Sequence, residues 1–205
     1  MAATDAVDIR IEGLGGHAAR PHKSIDSVMV GAQLVTALQS IVSRSVDPLE
    51  SAVISICEFH AGNARNVIPQ TAELKGTVRT LTAEVRELVE KRVREVVAGV
   101  AQITGAKIDL EYERGYPVVV NPASQTDVAT RVAKEIAGEA NVHEMPPLMG
   151  AEDFAYMLEQ RPGAFIFCGN GDSAGLHHPA YNFNDEAIVY GTSYWIKLVE
   201  NTLAA

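Results

Sequence analysis

The feature that most constrains the fold is a change of hydrophobic period repeated in a fixed order along the first 115 residues. Val7, Ile9 and Ile11 alternate with Asp8, Arg10 and Glu12, the period-two pattern of a strand with one dry face, and Gly13, Gly15 and Gly16 end it. From Ile25 the apolar residues Val28, Met29, Ala32, Val35, Leu38, Ile41 and Val42 follow helical spacing, with Ser24 expected as the N-cap and Asp26 in the first turn. Two strand-like runs follow, Ala52 to Phe59 and Thr71 to Thr80, joined by a turn-rich segment and expected to pair antiparallel. Thr82 caps a second amphipathic run from Val85 to Ile103, Gly105 stops it, and Ile108, Leu110 and Tyr112 alternate with acids in a last strand.

Four one-sided strands and two one-sided helices in this order bury their apolar faces most economically as an antiparallel sheet with both helices on one face. That is the ferredoxin-like βαββαβ arrangement, expected over residues 5–115, with a polar outer sheet face. Near Gly115 to Pro122 the pattern breaks, and a domain boundary is placed there. Residues 116–205 offer helices at about Ser124 to Ala140, Glu152 to Leu158 and Asp185 to Leu203. Ala164 to Cys168, apolar on both faces, reads as a central strand. One strand and three helices are too little for a complete α/β domain.

Composition narrows the function classes. Lys plus Arg total 17 against 26 Asp plus Glu, a net charge of −9 that opposes a nucleic-acid backbone or an anionic membrane surface. With 47% hydrophobic and 21% charged residues the chain is expected to fold. Cys57 and Cys168 cannot build a disulfide framework, no apolar run approaches membrane-spanning length, and Met1 to Asp5 has no signal-peptide character, so a cytoplasmic protein is expected.

Three clusters are unusual for turns. Gly15-Gly16-His17-Ala18-Ala19-Arg20-Pro21-His22 puts an imidazole on a glycine-opened turn, although composition alone favours a chance histidine on a surface turn. Asn63 to Pro69 holds Asn66, which alone reads as turn geometry. Leu176-His177-His178-Pro179 lies downstream of Gly150-Ala151-Glu152-Asp153-Phe154. A neutral imidazole there suits a divalent metal, while Asp185 and Glu186 read as first-turn acids of the closing helix. Arg79, on the polar face of its strand, suits a carboxylate clamp or a solvated charge.

In order, the motifs at 15–22, 62–69, 76–80, 150–154 and 176–179 resemble the metal-dependent aminoacylase/carboxypeptidase family of zinc exopeptidases, in its hippurate hydrolase and N-acyl-amino-acid amidohydrolase branch. Ala151 replaces another small residue of that motif. The resemblance implies a zinc-peptidase α/β catalytic domain with two divalent metals (zinc, manganese, cobalt or nickel) and an inserted ferredoxin-like lid that dimerises. It assigns His17 to stabilising the developing oxyanion in a partner subunit, Asn66 and Arg79 to substrate binding, His177 to the metal, and Glu152 and Asp153 to the acidic surroundings of that site.

The family's His-x-Asp metal motif and Glu-Glu pair do not occur in these 205 residues. The expectation is therefore a lid plus the C-terminal portion of a catalytic domain, with one metal ligand. It should be inactive alone, since catalytic zinc takes three protein ligands, and should expose apolar surface. The rival expectation is a non-catalytic fragment or pseudoenzyme serving as a dimerisation or ligand-binding module. N-acyl amino acids or peptides are the expected small-molecule partners, and homodimerisation follows from the resemblance alone.

Overall fold

A computed structural model describes residues 1–203. It divides into two compact units, the first comprising Met1–Val119 with Pro147–Tyr156, the second Val120–Pro146 with the residues from Met157 onward.

The first unit contains β1 (Ala3–Glu12), the short β2 (Gly16–His17), α1 (Ser27–Arg44), β3 (Ala52–Ala61), the short β4 (Val67–Ile68), β5 (Thr71–Thr80), α2 (Ala83–Thr104) and β6 (Lys107–Arg114). The four long strands form one antiparallel sheet in the order β3-β5-β1-β6. Alternate residues of β1 are buried, and Val7, Ile9 and Ile11 pack with Leu74 and Val78 of β5. Val30, Leu34, Leu38 and Ile41 of α1 and Val85, Val89, Val93 and Val97 of α2 complete this cluster, so both helices cover one face. Each fully buried aliphatic side chain contributes about 1.5–3 kcal/mol, which makes this cluster the main source of stability in the unit.

The other face is polar and charged in rows. Glu58, Lys75, Asp8 and Glu111 lie in register across the sheet, and His60, Glu73, Arg10 and Asp109 form the next row. The β3 part of these rows depends on a bulge between Ile56 and Glu58. The extra residue, Cys57, reverses the phase of the strand, so that Phe59 lies over Gly31 of α1 while Glu58 and His60 join the charged face.

The helix ends follow local chemistry, with one correction to the expected caps. Asp26, not Ser24, caps α1: its Oδ1 accepts from the amides of Val28 at 2.9 Å and Met29 at 3.2 Å. Pro21–Lys23 forms a 3-10 turn that places Ser24 at that turn's own end. Thr82 caps α2 through the Val85 amide, and Gly105 ends it at φ +73°.

Asp5 of β1 and Arg86 of α2 form a buried ion pair in which Arg86 Nε donates to Oδ1 at 3.0 Å. The Tyr112 hydroxyl donates to Asp5 Oδ2 at 2.8 Å, and Arg86 Nη2 donates to the Gly115 carbonyl at 2.9 Å. One network thus ties β1, α2, β6 and the chain after β6. Beside it, the Ala2 amide donates to the carbonyls of Leu148 and Gly150, and the Val119 amide donates to the Met1 carbonyl.

In the second unit α3 (Ala123–Ala137) packs on α5 (Glu186–Leu203), while α4 (Phe154–Gln160) spans the division between the units. The strand expected at Ala164–Cys168 is not formed. Instead, Asn121 brackets Phe165, its Nδ2 donating to the Phe165 carbonyl at 2.8 Å and its Oδ1 accepting from the Phe165 amide at 2.9 Å. A strand needs a neighbouring ladder, and no described residue of this unit supplies one. The unit leaves large apolar side chains exposed, among them Ile188, Trp195, Val199 and Leu203 along one stripe of α5.

Candidate active site

The glycine-opened turn after β1 becomes half of a two-stranded ribbon. Gly16 pairs with Ile68 and His17 with Val67, and the Ala18 amide donates to the Asn66 carbonyl at 3.1 Å. His17 and Asn66, separated by 49 positions in sequence, are therefore neighbours on an exposed ribbon. The Ala19 amide donates to His17 Nδ1 at 3.1 Å. In the neutral ring the proton is then carried by Nε2, which is available as a donor.

Arg79 is at the opposite end of the sheet. It pairs with Thr4 of β1, whereas the ribbon joins β5 at Thr71. Eight strand residues separate the two ends, roughly 26 Å. Arg79 Nη1 donates to the Val78 carbonyl at 3.0 Å and to the Thr77 hydroxyl, which itself donates to the Asp5 carbonyl at 3.1 Å. Neither guanidinium bond uses Nε or Nη2, so one edge of the fork remains for a carboxylate. Thr77 stands two residues before Arg79 on the same strand face, a spacing readable from sequence.

Glu152 and Asp153 belong to the Pro147–Tyr156 segment, attached at the Ala2 end of β1. Ala3 pairs with Thr80, so these acids are at the Arg79 end of the sheet rather than the His17 end. Their carbonyls start the turn into α4, accepting from the amides of Ala155 at 3.2 Å and Tyr156 at 2.9 Å.

In the second unit His177 has φ +66°, the one non-glycine residue in the left-handed region among the described residues. Its loop is tied by Asn170, which donates to the Asn182 carbonyl at 2.8 Å and accepts from the Asn184 amide at 2.7 Å. Left-handed backbone at a histidine costs about 1–2 kcal/mol and is typical of functional positions. Among the described residues, no three His, Cys, Asp or Glu side chains converge on a point that could hold a metal ion.

The chain matches the model of Peptidase family M20/M25/M40 over residues 5–201, and it belongs to that family. It is 40% identical over 199 residues to hippurate hydrolase of Campylobacter jejuni, covering 97% of this chain and 52% of that protein. It is 38% identical over 195 residues to N-acetyldiaminopimelate deacetylase of Streptococcus thermophilus, covering 94% of this chain and 51% of that one. The structure of Bacillus subtilis YXEP, described as a dinuclear metal binding peptidase from the M20 family, superposes with a TM-score of 0.78 at 32% identity, over 99% of this chain and 51% of that one. The chain thus spans about half the length of the relatives it matches, and its α/β fold is that of M20 peptidases.

Proposed function

We propose that this chain carries part of the active site of a metal-dependent amidohydrolase that cleaves the amide bond of N-acyl amino acids, with hippurate-like substrates. In this reading residues 5–115 are a ferredoxin-like lid and dimerisation domain, and residues 116–205 are the C-terminal part of the catalytic domain. The observation that carries the reading is the His17–Asn66 ribbon, where the Ala18 amide bonds the Asn66 carbonyl and the Ala19 amide's bond to Nδ1 leaves the proton of the neutral His17 ring on Nε2.

His17 donates to the carbonyl oxygen as negative charge develops there in the transition state, Asn66 orients the substrate, and the open edge of Arg79 grips its carboxylate. The carboxylate and scissile carbonyl of an amino-acid substrate are only a few bonds apart. Arg79 is roughly 26 Å along β5 from Thr71, the strand end beside the His17 ribbon, a separation that favours a site shared between two copies. The reading, carried by the family resemblance, is a homodimer in which each lid supplies His17 to its partner's site. A divalent metal, zinc, manganese, cobalt or nickel, supplies Lewis-acid chemistry in the complete protein, with His177 as the one ligand contributed by this chain and Glu152 and Asp153 nearby in role. The two free, exposed cysteines suit a reducing cytoplasm.

The test is to join this chain to the N-terminal half of the Campylobacter relative and assay N-benzoylglycine. Chelator-sensitive turnover that falls by about 10²–10³ in His17→Ala supports the reading. A folded, metal-loaded hybrid that binds N-acyl amino acids without turning them over supports instead a non-catalytic ligand-binding or dimerisation module.

A further inference from the structure

His17 is delivered by a stretch of backbone with almost no side chains of its own, Gly13-Leu14-Gly15-Gly16, which runs from the end of β1 at Glu12 into the ribbon at Gly16. Three glycines in four residues make such a segment costly to hold in one conformation, so whatever fixes it also fixes the imidazole that follows. The glycines are required by close approach: a Cβ on Gly13 would lie 2.2 Å from the Ile25 carbonyl oxygen, and one on Gly15 would lie 3.0 Å from that of Ile68.

One residue binds this arm at both ends. The Gly13 amide donates to the Gln70 carbonyl at 2.8 Å, Gln70 Nε2 donates to the Gly13 carbonyl at 2.8 Å, and the Gly15 amide donates to Gln70 Oε1 at 2.9 Å. The carboxamide thus takes the place of a strand neighbour exactly where the ladder is interrupted between the β1–β5 and β2–β4 pairings. On the other side, reciprocal bonds between Leu14 and Ile25 at 2.9 and 3.0 Å bracket the arm. The Ser27 hydroxyl donates to the Pro69 carbonyl at 2.9 Å and steadies the residue beside Gln70. Gln70 itself is exposed and contributes nothing to the hydrophobic core.

Resting on the reading of His17 as the oxyanion donor, we propose that Gln70 is a positioning residue for His17. Its carboxamide needs both a donor and an acceptor. Gln70→Glu keeps the acceptor for Gly15 but sets an oxygen against the Gly13 carbonyl, and Gln70→Ala removes both bonds.

The experiment is nitrogen-proton NMR of the histidine rings in the 205-residue chain, with hydrogen exchange at the Gly15 and Ala18 amides. In the unsubstituted chain His17 should show a fixed Nε2–H tautomer. Both variants should shift its ring signals toward averaged tautomers and speed Ala18 exchange roughly ten-fold, leaving His22 and His60 signals and the melting temperature unchanged. An unchanged His17 tautomer and unchanged Ala18 protection in Gln70→Ala would overturn the proposal. This readout is independent of turnover. If the proposed amidohydrolase activity fails, the NMR result still decides whether Gln70 positions His17.

Discussion

Asp5 and Arg86, 81 residues apart, form the one ion pair among the described residues in which both side chains are buried. Its network also holds Tyr112 and Gly115, so it fixes where the sheet ends and the chain leaves it. Removing one partner leaves an uncompensated buried charge. Asp5→Ala and Arg86→Leu should each lower stability by about 3–5 kcal/mol in urea titrations, and Tyr112→Phe by about 1 kcal/mol. A double Asp5→Leu/Arg86→Leu variant should recover part of the loss.

Tyr112 and Glu90 set opposite pH limits. Burial, reinforced by its bond to Asp5, pushes the Tyr112 hydroxyl far above its ordinary value of 10.0. The unfolded chain releases that proton near 10 while the folded chain keeps it, so this contribution is complete below pH 10 and declines as pH rises above it. For Glu90 burial opposes ionisation, but hydrogen bonds from Arg94 and Arg114 outweigh it and hold the carboxyl below its ordinary 4.5. That contribution is present above pH 4.5 and is lost as pH falls. Thermal melts should decline on both sides, and Tyr112→Phe should flatten only the alkaline limb.

The left-handed backbone at His177 separates its structural cost from its chemistry. His177→Gly should raise stability by about 1 kcal/mol and His177→Val should lower it, with melting temperature as the measure. A gain on His177→Val would mean that this conformation carries no strain.

The α5 stripe of Ile188, Trp195, Val199 and Leu203 should bind a hydrophobic dye strongly and drive association at micromolar concentration. Trp195→Lys should weaken both, and dye binding no greater than that of a complete globular domain would contradict this expectation.

The open guanidinium edge of Arg79 should matter for charge and not for the scissile bond. In the hybrid enzyme, Arg79→Met should raise KM for N-acyl amino acids about 10- to 100-fold and leave carboxamide-blocked analogues unchanged.

The elements of the first sheet were legible because its strands and helices each bury one face, so the hydrophobic period reports them directly. The β3 bulge was not, because a single extra residue at Cys57 reverses the alternation without any turn signal. Ala164 to Cys168 looked like a strand because apolar runs mark burial without showing whether a ladder partner exists. The cap of α1 moved from Ser24 to Asp26 because the 3-10 turn at Pro21 consumed the residues before it. For the site, residue types were readable from ordered motifs, but their grouping was not. Strand register sends Arg79 to one end of the sheet and His17 to the other, and pairing across 55 positions makes Gln70 invisible to local patterns.

In the proposed function these residues supply an oxyanion donor, a carboxylate clamp and a single metal ligand, and do not by themselves complete a catalytic centre. The most direct measurement is hydrolysis of N-benzoylglycine and a small panel of N-acetyl amino acids by the purified 205-residue chain with zinc, manganese or cobalt, alongside metal quantitation. The expected result is a folded chain with no stoichiometric metal and no turnover. Turnover abolished both by chelation and by His177→Ala would contradict it, because a working metal centre would then be assembled from these residues alone.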